Sequence, residues 1–281
     1  MLSLRARFSA LSSLPRDAQL LLAMTTLFGF GYGGIGLMLR PLYVLRLGQG
    51  TAYYGLYSAL GSFAFMAASL GAGWLGMRIG ARQTMVWGAI GCLIGSAIMP
   101  FTEFFPTSLW QELPIASNLL LSGAWALVSV NTIPALVGVT SEHVHDRVIG
   151  LSTTLNALGV LFGNLVGGVL PRVYSQLLDS SAVNNDGFRL AISTALPFGL
   201  AMIVLLLKLP ERPPERGIAL LSEVPHSATP FLVIGLFSLF IPATSSAIGT
   251  FATPYFYQDL HLSTEIIGVV TTLSQGLAVL G

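Results

Sequence analysis

The stretch GWLGMRIGARQ, residues 73–83, places two arginines and three glycines between two long apolar runs. The runs cover about residues 52–76 and 84–102, and each is close to the 20 apolar residues that a transmembrane helix needs. No aspartate or glutamate occurs between Asp17 and Glu103. The stretch therefore reads as a short polar turn between two membrane-spanning helices.

The composition of the whole chain agrees with this interpretation. Hydrophobic residues make up 53% of it and charged residues 9%, whereas soluble domains carry about 25% charged residues. The net charge of +1 comes without a basic patch, so no nucleic-acid partner is expected. The single cysteine, Cys92, lies in an apolar run and is expected to be a small buried residue. We predict an all-α, polytopic transmembrane helix bundle that contacts the lipid bilayer.

Apolar segments predict seven complete spans and the start of an eighth near Glu265. The predicted spans are residues 19–44, 52–76, 84–102, 116–140, 149–171, 188–208 and 229–251. They divide the chain into a leader (1–18), a six-helix half (19–208), a proline-rich linker (209–228) and the start of a second half (229–281). The acid-poor leader is also compatible with an organellar address.

The distribution of cations predicts the orientation. Cytoplasmic loops of membrane proteins are enriched in Lys and Arg. With the N-terminus in the cytoplasm, only three loop arginines fall outside: Arg46, Arg172 and Arg189. The cytoplasmic side then holds Arg5, Arg7, Arg16, Arg78, Arg82, Arg147, Lys208, Arg212 and Arg216. We expect an integral protein of the plasma (inner) membrane with a cytoplasmic N-terminus.

An internal repeat links the two predicted halves. A shift of 213 positions pairs RPLYVLRLGQGTAYYG with TPYFYQDLHLSTEIIG and aligns four pairs of identical residues around a loop. The pairs are Pro41 with Pro254, Leu47 with Leu260, Thr51 with Thr264, and Gly55 with Gly268. Both copies fall after an odd-numbered span, which predicts two units of six helices in the same orientation.

The opening stretch resembles the loop after helix 2 of the major facilitator superfamily, typically G-x-L-A-D-R-x-G-R-R/K. Gly73, Leu75, Arg78, Gly80 and Arg82 match, whereas Met77 replaces the aspartate. Glycine permits the tight turn, and the arginines can pair with helix ends. The resemblance implies a gating loop, although Met77 removes the carboxylate of a gating ion pair.

The fifth predicted helix is similar to the antiporter motif of the same superfamily. GVLFGNLVGG supplies small residues at four-residue spacing, with an asparagine in place of proline: Gly159, Gly163, Asn164, Gly167 and Gly168. Such a face lets a neighbouring backbone approach closely, and the motif favours export. The fourth predicted helix has apolar Leu119 where proton-coupled members often carry an arginine, so coupling through that arginine is not supported.

The resemblance implies a secondary transporter that moves a small solute by alternating access, with a coupling ion such as H⁺ as a second partner. The usual twelve helices are represented here by about seven and a half. Central-cavity helices of this superfamily favour Tyr32, Arg40, Trp125 and Asn131 as lining residues, and Asn156 is a further polar candidate. Each is also compatible with helix packing. Arg40 either snorkels to the headgroups or contacts an anion in the cavity.

Other chemistry finds little support in the sequence. The literal G-x-G-x-x-G within GFGYGGIG (29–36) lies in an apolar span and has no acid about 20 residues on, so it predicts helix packing rather than dinucleotide binding. The loop SEHVHDR (141–147) favours solvated capping acids over a metal site. We expect no enzymatic activity, no cofactor and no metal. Oligomeric state is left open, and the alternatives are a non-transporting receptor or scaffold, or an inactive fragment.

Overall fold

The structure, a computed structural model, describes residues 14–178, 186–211 and 249–280. Within these ranges it contains helices and turns and no β-strand. We number the main helices α1 (Arg16–Arg46), α2 (Thr51–Ile79), α3 (Ala81–Phe101), α4 (Glu112–Val139), α5 (His145–Leu177), α6 (Asp186–Leu207), α7 (249–258) and α8 (Thr264–Leu280). The first six correspond to helices long and apolar enough to cross a membrane. The all-α prediction is therefore confirmed.

Two predicted segments fall largely outside the described residues. The proline-rich linker is described only as far as residue 211, and the leader only from residue 14. The predicted seventh span, 229–251, is described only from residue 249, and its helix continues to residue 258. The helix extends past the predicted end because residues 252–257, ATPYFY, remain largely apolar or aromatic.

A π-helical segment, Gly29–Gly36, interrupts α1 and coincides with the sequence GFGYGGIG. Hydrogen bonds from residue i to i+5 make a π-helix wider than an α-helix, and most examples are single-turn bulges. Here the segment runs for eight residues. Within this segment Gly29, Gly33 and Gly34 all face α5, in agreement with the helix packing that the sequence predicted.

Helix α1 forms the centre of the bundle. Of its most apolar stretch 67% is buried inside the protein, against 11% for the corresponding stretch of α2. One core cluster packs Leu21, Met24 and Phe28 of α1 against α3, α4 and α6. The second packs Leu39 and Leu42 near α2 and the start of α6. The apolar side chains of α2, such as Leu70, point outward, as expected for a surface in contact with lipid.

The turn before α2 has a counterpart before α8. Thr51 and Thr264, paired by the sequence repeat, each begin a helix. The same shift of 213 pairs Gly48 with His261, and both have positive φ angles, 79° and 50°. His261 is the only non-glycine residue with a positive φ in the described ranges. The two loops therefore share a positive φ at the paired position as well as a sequence pattern.

Candidate functional site

Arg40 is a buried cation in the middle of the bundle. It lies one turn beyond the π-helical segment, and 4% of its surface is exposed. Its Nη2 donates a hydrogen bond to Ser96 Oγ of α3 at 3.1 Å, whereas its Nε has no hydrogen-bond partner. The side chain is thus directed into the bundle and does not snorkel to the surface. No carboxylate of the described residues forms an ion pair with it.

The π-helical segment makes room for this guanidinium. A Cβ added at Gly36 would lie 2.7 Å from Arg40 Nη2, so the guanidinium occupies the space beside this glycine. Tyr32, in the same segment, is fully buried, and its hydroxyl lies against Gly199 of α6. The glycine-rich run therefore brings two of the predicted site residues, Tyr32 and Arg40, to the same part of the core.

Helix α2 completes the cluster with two tyrosines one turn apart. Tyr54 and Tyr57 stack at a centroid distance of 5.7 Å, and both lie near the Arg40 guanidinium, as does Tyr32. The Tyr57 hydroxyl is buried and has no hydrogen-bond partner. Tyr54 also makes an edge contact with Phe251 of α7, at 6.3 Å. The cluster of Arg40, Tyr32, Tyr54, Tyr57 and Ser96, here called the Arg40 cluster, adjoins the second half of the chain.

The remaining predicted cavity residues form contacts between helices. Asn131 of α4 is buried, and its Nδ2 donates to Ala72 O of α2 at 3.1 Å. Asn156 of α5 donates from Nδ2 to Thr25 O of α1 at 3.0 Å. Trp125 packs edge-on against Phe28 at 4.9 Å. The structure does not bring these three residues to the Arg40 cluster, and their cavity-lining role stays a prediction.

The glycine face of α5 packs directly on α1. A Cβ at Gly159 or Gly163 would collide with the α1 backbone at Thr26 O or Phe30 O, respectively. A Cβ at Gly167 would lie 3.2 Å from Ile35 Cα. The backbones approach this closely because none of these positions carries a side chain.

The same helix connects the two halves through Gly168 and Asn164. A Cβ on Gly268 of α8 would lie 3.1 Å from Gly168 Cα. Asn164, which replaces the motif's proline, donates from Nδ2 to Gln275 Oε1 of α8 at 2.9 Å. An asparagine side chain thus makes an interhelical hydrogen bond that proline could not make.

Further polar contacts between the halves cluster at the end of the bundle that contains Gly48. Arg46 Nε donates to the Tyr257 hydroxyl at 2.8 Å, and Thr51 Oγ1 donates to Gln258 Oε1 at 3.2 Å. An ion pair joins Arg172 of α5 to Glu265 of α8 at 3.4 Å. These bonds hold the halves together at that end.

The loop between α2 and α3 lies at the opposite end. Gly80 forms the whole connection and has a φ of 93°, a conformation that favours glycine. Arg82 donates from Nε to Leu206 O and from Nη2 to Leu207 O, and pairs with Glu211 at 2.7 Å. It therefore caps the C-terminal end of α6, as its predicted pairing with helix ends requires.

The other residues of the loop motif make fewer contacts with neighbouring helices than Arg82 does. Arg78 is exposed and lies over the Trp74 ring at 5.0 Å. Met77, at the position of the family's aspartate, is 60% exposed. Gly73 has open surroundings, whereas a Cβ at Gly76 would collide with the Asn131 side chain. The close helix contact of this stretch is thus made at Gly76, which the motif comparison did not single out.

The loop that contains His143 and His145 does not bring together a set of side chains that could bind a metal ion. His145 contacts Thr140 O at 3.2 Å, and His143 contacts Ser141 at 3.4 Å. Across residues 14–178, 186–211 and 249–280, no group of three His, Cys, Asp or Glu side chains comes together.

The model of the Major Facilitator Superfamily matches residues 6–281. The chain belongs to this superfamily. Among solved structures, the D-xylose–proton symporter of the superfamily fold is similar with a TM-score of 0.60 at 17% sequence identity. The similarity covers 92% of this chain and 65% of the symporter, so the chain spans less than two thirds of that protein's length. No curated protein matches the sequence significantly.

Three residues of the Arg40 cluster were not predicted from the sequence: Tyr54, Tyr57 and Ser96. Tyr54 and Tyr57 carry a recognisable signal, two tyrosines at i,i+3 in an apolar helix, which places both hydroxyls on one face. Ser96 has no such signal, since serine is common in membrane helices. Its role depends on the packing of α3 beside the π-helical segment of α1.

Proposed function

We propose that this chain forms the six-helix half and the first part of the second half of a secondary active transporter. A small solute crosses the membrane as the two halves rock about a site near the bilayer midplane. The observation that carries this proposal is the contact between the halves. Among the described residues, glycine faces of α5 and α8 meet there, with only a few polar bonds. Such a smooth interface permits repacking at small cost.

The orientation proposed with this function follows the positive-inside rule. The N-terminus and the Gly80 turn face the cytoplasm of the plasma (inner) membrane, and the Gly48 turn faces outside. The α5 glycine pattern favours export, and an ion gradient such as that of H⁺ supplies the energy. The halves then contact each other at the outer end through Arg46, Thr51 and Arg172.

Transport is tested with the full-length protein in liposomes and a panel of radiolabelled small solutes. We expect saturable flux of at least one solute, changed by Arg40→Ala or Asn131→Ala and unchanged by Arg147→Gln. Arg147→Gln is the control because Arg147 is exposed and its substitution removes the same charge as Arg40→Ala. Absence of flux for the whole panel, together with stoichiometric co-purification of another protein, would instead establish a scaffold.

Topology is tested by cysteine labelling in a Cys92→Ser background, since Cys92 is the chain's single cysteine and is buried. Ser108 and Ser141 are exposed in loops at opposite ends of the bundle. In sealed cells a membrane-impermeant maleimide should label Ser108→Cys and not Ser141→Cys. The reverse result would invert the proposed orientation.

A further inference from the structure

We propose that the Arg40 cluster is a binding site for the carboxylate group of a small monoanionic solute. The inference rests on the proposed transport function, because solute reaches the cluster only when the two halves separate. It gives that function a substrate class and a binding residue in the described half.

The first step is the electrostatics of Arg40. A buried charge is costly unless it is paired and hydrogen-bonded. Arg40 is 4% exposed and, among the described residues, donates a hydrogen bond to Ser96, while its Nε has none. Among the described residues it also has no acidic partner. Within the described ranges the guanidinium therefore retains capacity for an anion that these residues do not supply.

The second step is the set of groups around it. The buried hydroxyls of Tyr57 and Tyr32 have no hydrogen-bond partner, and Tyr54 stacks on Tyr57. Hydroxyl groups and a guanidinium can all donate hydrogen bonds, and Arg binds carboxylates in a bidentate manner. Two buried donors on different helices, Arg40 Nε and Tyr57 OH, thus have no hydrogen-bond partner of their own.

The third step selects the charge of the ligand. The cluster contains one permanent positive charge, so a monoanion neutralises it, whereas a dianion would leave an uncompensated negative charge in the core. A carboxylate matches the planar fork of the guanidinium better than a spherical ion does.

The fourth step concerns access. Tyr54 stacks on Tyr57 and contacts Phe251 of α7, so the edge of the cluster lies at the junction between the halves. Separation of α2 from α7 would expose that edge. Closure around the solute then buries the anion next to Arg40.

Binding is tested with purified full-length protein in detergent, by the shift of its thermal unfolding midpoint. The probes are sodium acetate, lactate and benzoate at millimolar concentration, each compared with its uncharged amide and with sodium chloride at equal ionic strength. We expect stabilisation by at least one carboxylate and not by its amide. Stabilisation should be lost in Arg40→Gln and retained in Arg147→Gln, the matched control for charge.

Tyr57→Phe provides the sharper variant, because it removes only the unpartnered hydroxyl. Without ligand its unfolding midpoint should equal that of the parent protein, whereas the carboxylate concentration for half-maximal stabilisation should rise about tenfold or more. Arg40→Gln without ligand should unfold at the same or a higher temperature, since an unpaired buried charge is removed. A purely structural Arg40 would instead lower the midpoint.

The outcomes separate this inference from the proposed function. No stabilisation by any carboxylate, or equal stabilisation in Arg40→Gln, overturns the inference even if solute flux is observed. Stabilisation by chloride alone that Arg40→Gln abolishes overturns the assignment to a solute carboxylate and identifies an inorganic-anion site. Carboxylate binding without flux supports the inference and counts against transport.

Discussion

At the residue scale, the paired turns contain two positive φ angles, at Gly48 and His261. A left-handed conformation costs an L-residue about 1–2 kcal/mol, and glycine avoids this cost. We expect Gly48→Ala to lower the free energy of unfolding by about 1 kcal/mol and His261→Gly to leave it unchanged or raise it slightly. Gly50→Ala is the control, because Gly50 has a φ of −76° and open space around it. Equal effects of Gly48→Ala and Gly50→Ala in denaturant titrations would contradict the prediction.

Arg82 provides a second prediction at this scale. It donates to two terminal carbonyls of α6, and its side chain is 18% exposed. Hydrogen bonds from charged donors contribute about 1.5–3 kcal/mol when buried, and the exposure of Arg82 reduces this. Arg82→Gln should therefore lower the unfolding free energy by about 1–2 kcal/mol. Arg78→Gln, in the same loop, removes an exposed charge and should change it by less than about 0.5 kcal/mol. A larger loss of unfolding free energy in Arg78→Gln than in Arg82→Gln would contradict the proposal that Arg82 caps α6.

At the element scale, the glycine face of α5 determines how closely α1 can pack. Gly163→Ala introduces a methyl group against Phe30 O, and overpacking typically costs about 1–3 kcal/mol. Gly150, on the same helix, has open surroundings, so Gly150→Ala should be neutral or stabilise by up to about 1 kcal/mol. Opposite signs for the two substitutions, measured by thermal unfolding, would support the contact. If both behave alike, α5 and α1 do not pack in this register.

At the scale of the whole molecule, the contact between the halves should control access to their interface. Met38 is 3% exposed, and its terminal methyl lies 3.3 Å from a Cβ built on Gly168 or on Gly268. A cysteine at position 38, in a Cys92→Ser background, therefore reports separation of α5 from α8. Arg172→Glu breaks the ion pair with Glu265, and exposed pairs contribute about 0.2–1 kcal/mol. The maleimide labelling rate at position 38 should thus rise by up to about fivefold.

The exchanged pair serves as the control for this experiment. Arg172→Glu combined with Glu265→Arg restores an ion pair and should restore the slow labelling rate at position 38. Arg147→Glu changes the charge equally, far from the contact, and should leave the rate unchanged. A rate that does not respond to Arg172→Glu would show that this ion pair does not hold the halves together.

The sequence by itself determined the membrane helices and their approximate limits, because apolar runs bounded by polar turns have few other stable states in a bilayer. It also indicated that Arg82 can pair with helix ends, since arginine is rare in lipid-facing positions. These conclusions depend on local composition and spacing, which a sequence displays directly.

Only the tertiary structure decided which polar residues meet. The π-helical register of Gly29–Gly36 places three glycines against α5 and turns Arg40 toward Ser96. If residues 29–36 formed a regular α-helix, the same residues would lie on different faces of α1. Tyr57 and Ser96 come from helices far from Arg40 in sequence, so their approach depends on packing between helices. Asn131 and Asn156 are also polar residues in apolar helices, but they hydrogen-bond to backbone carbonyls of neighbouring helices. Asn131 contacts α2 and Asn156 contacts α1, because their helices pack there.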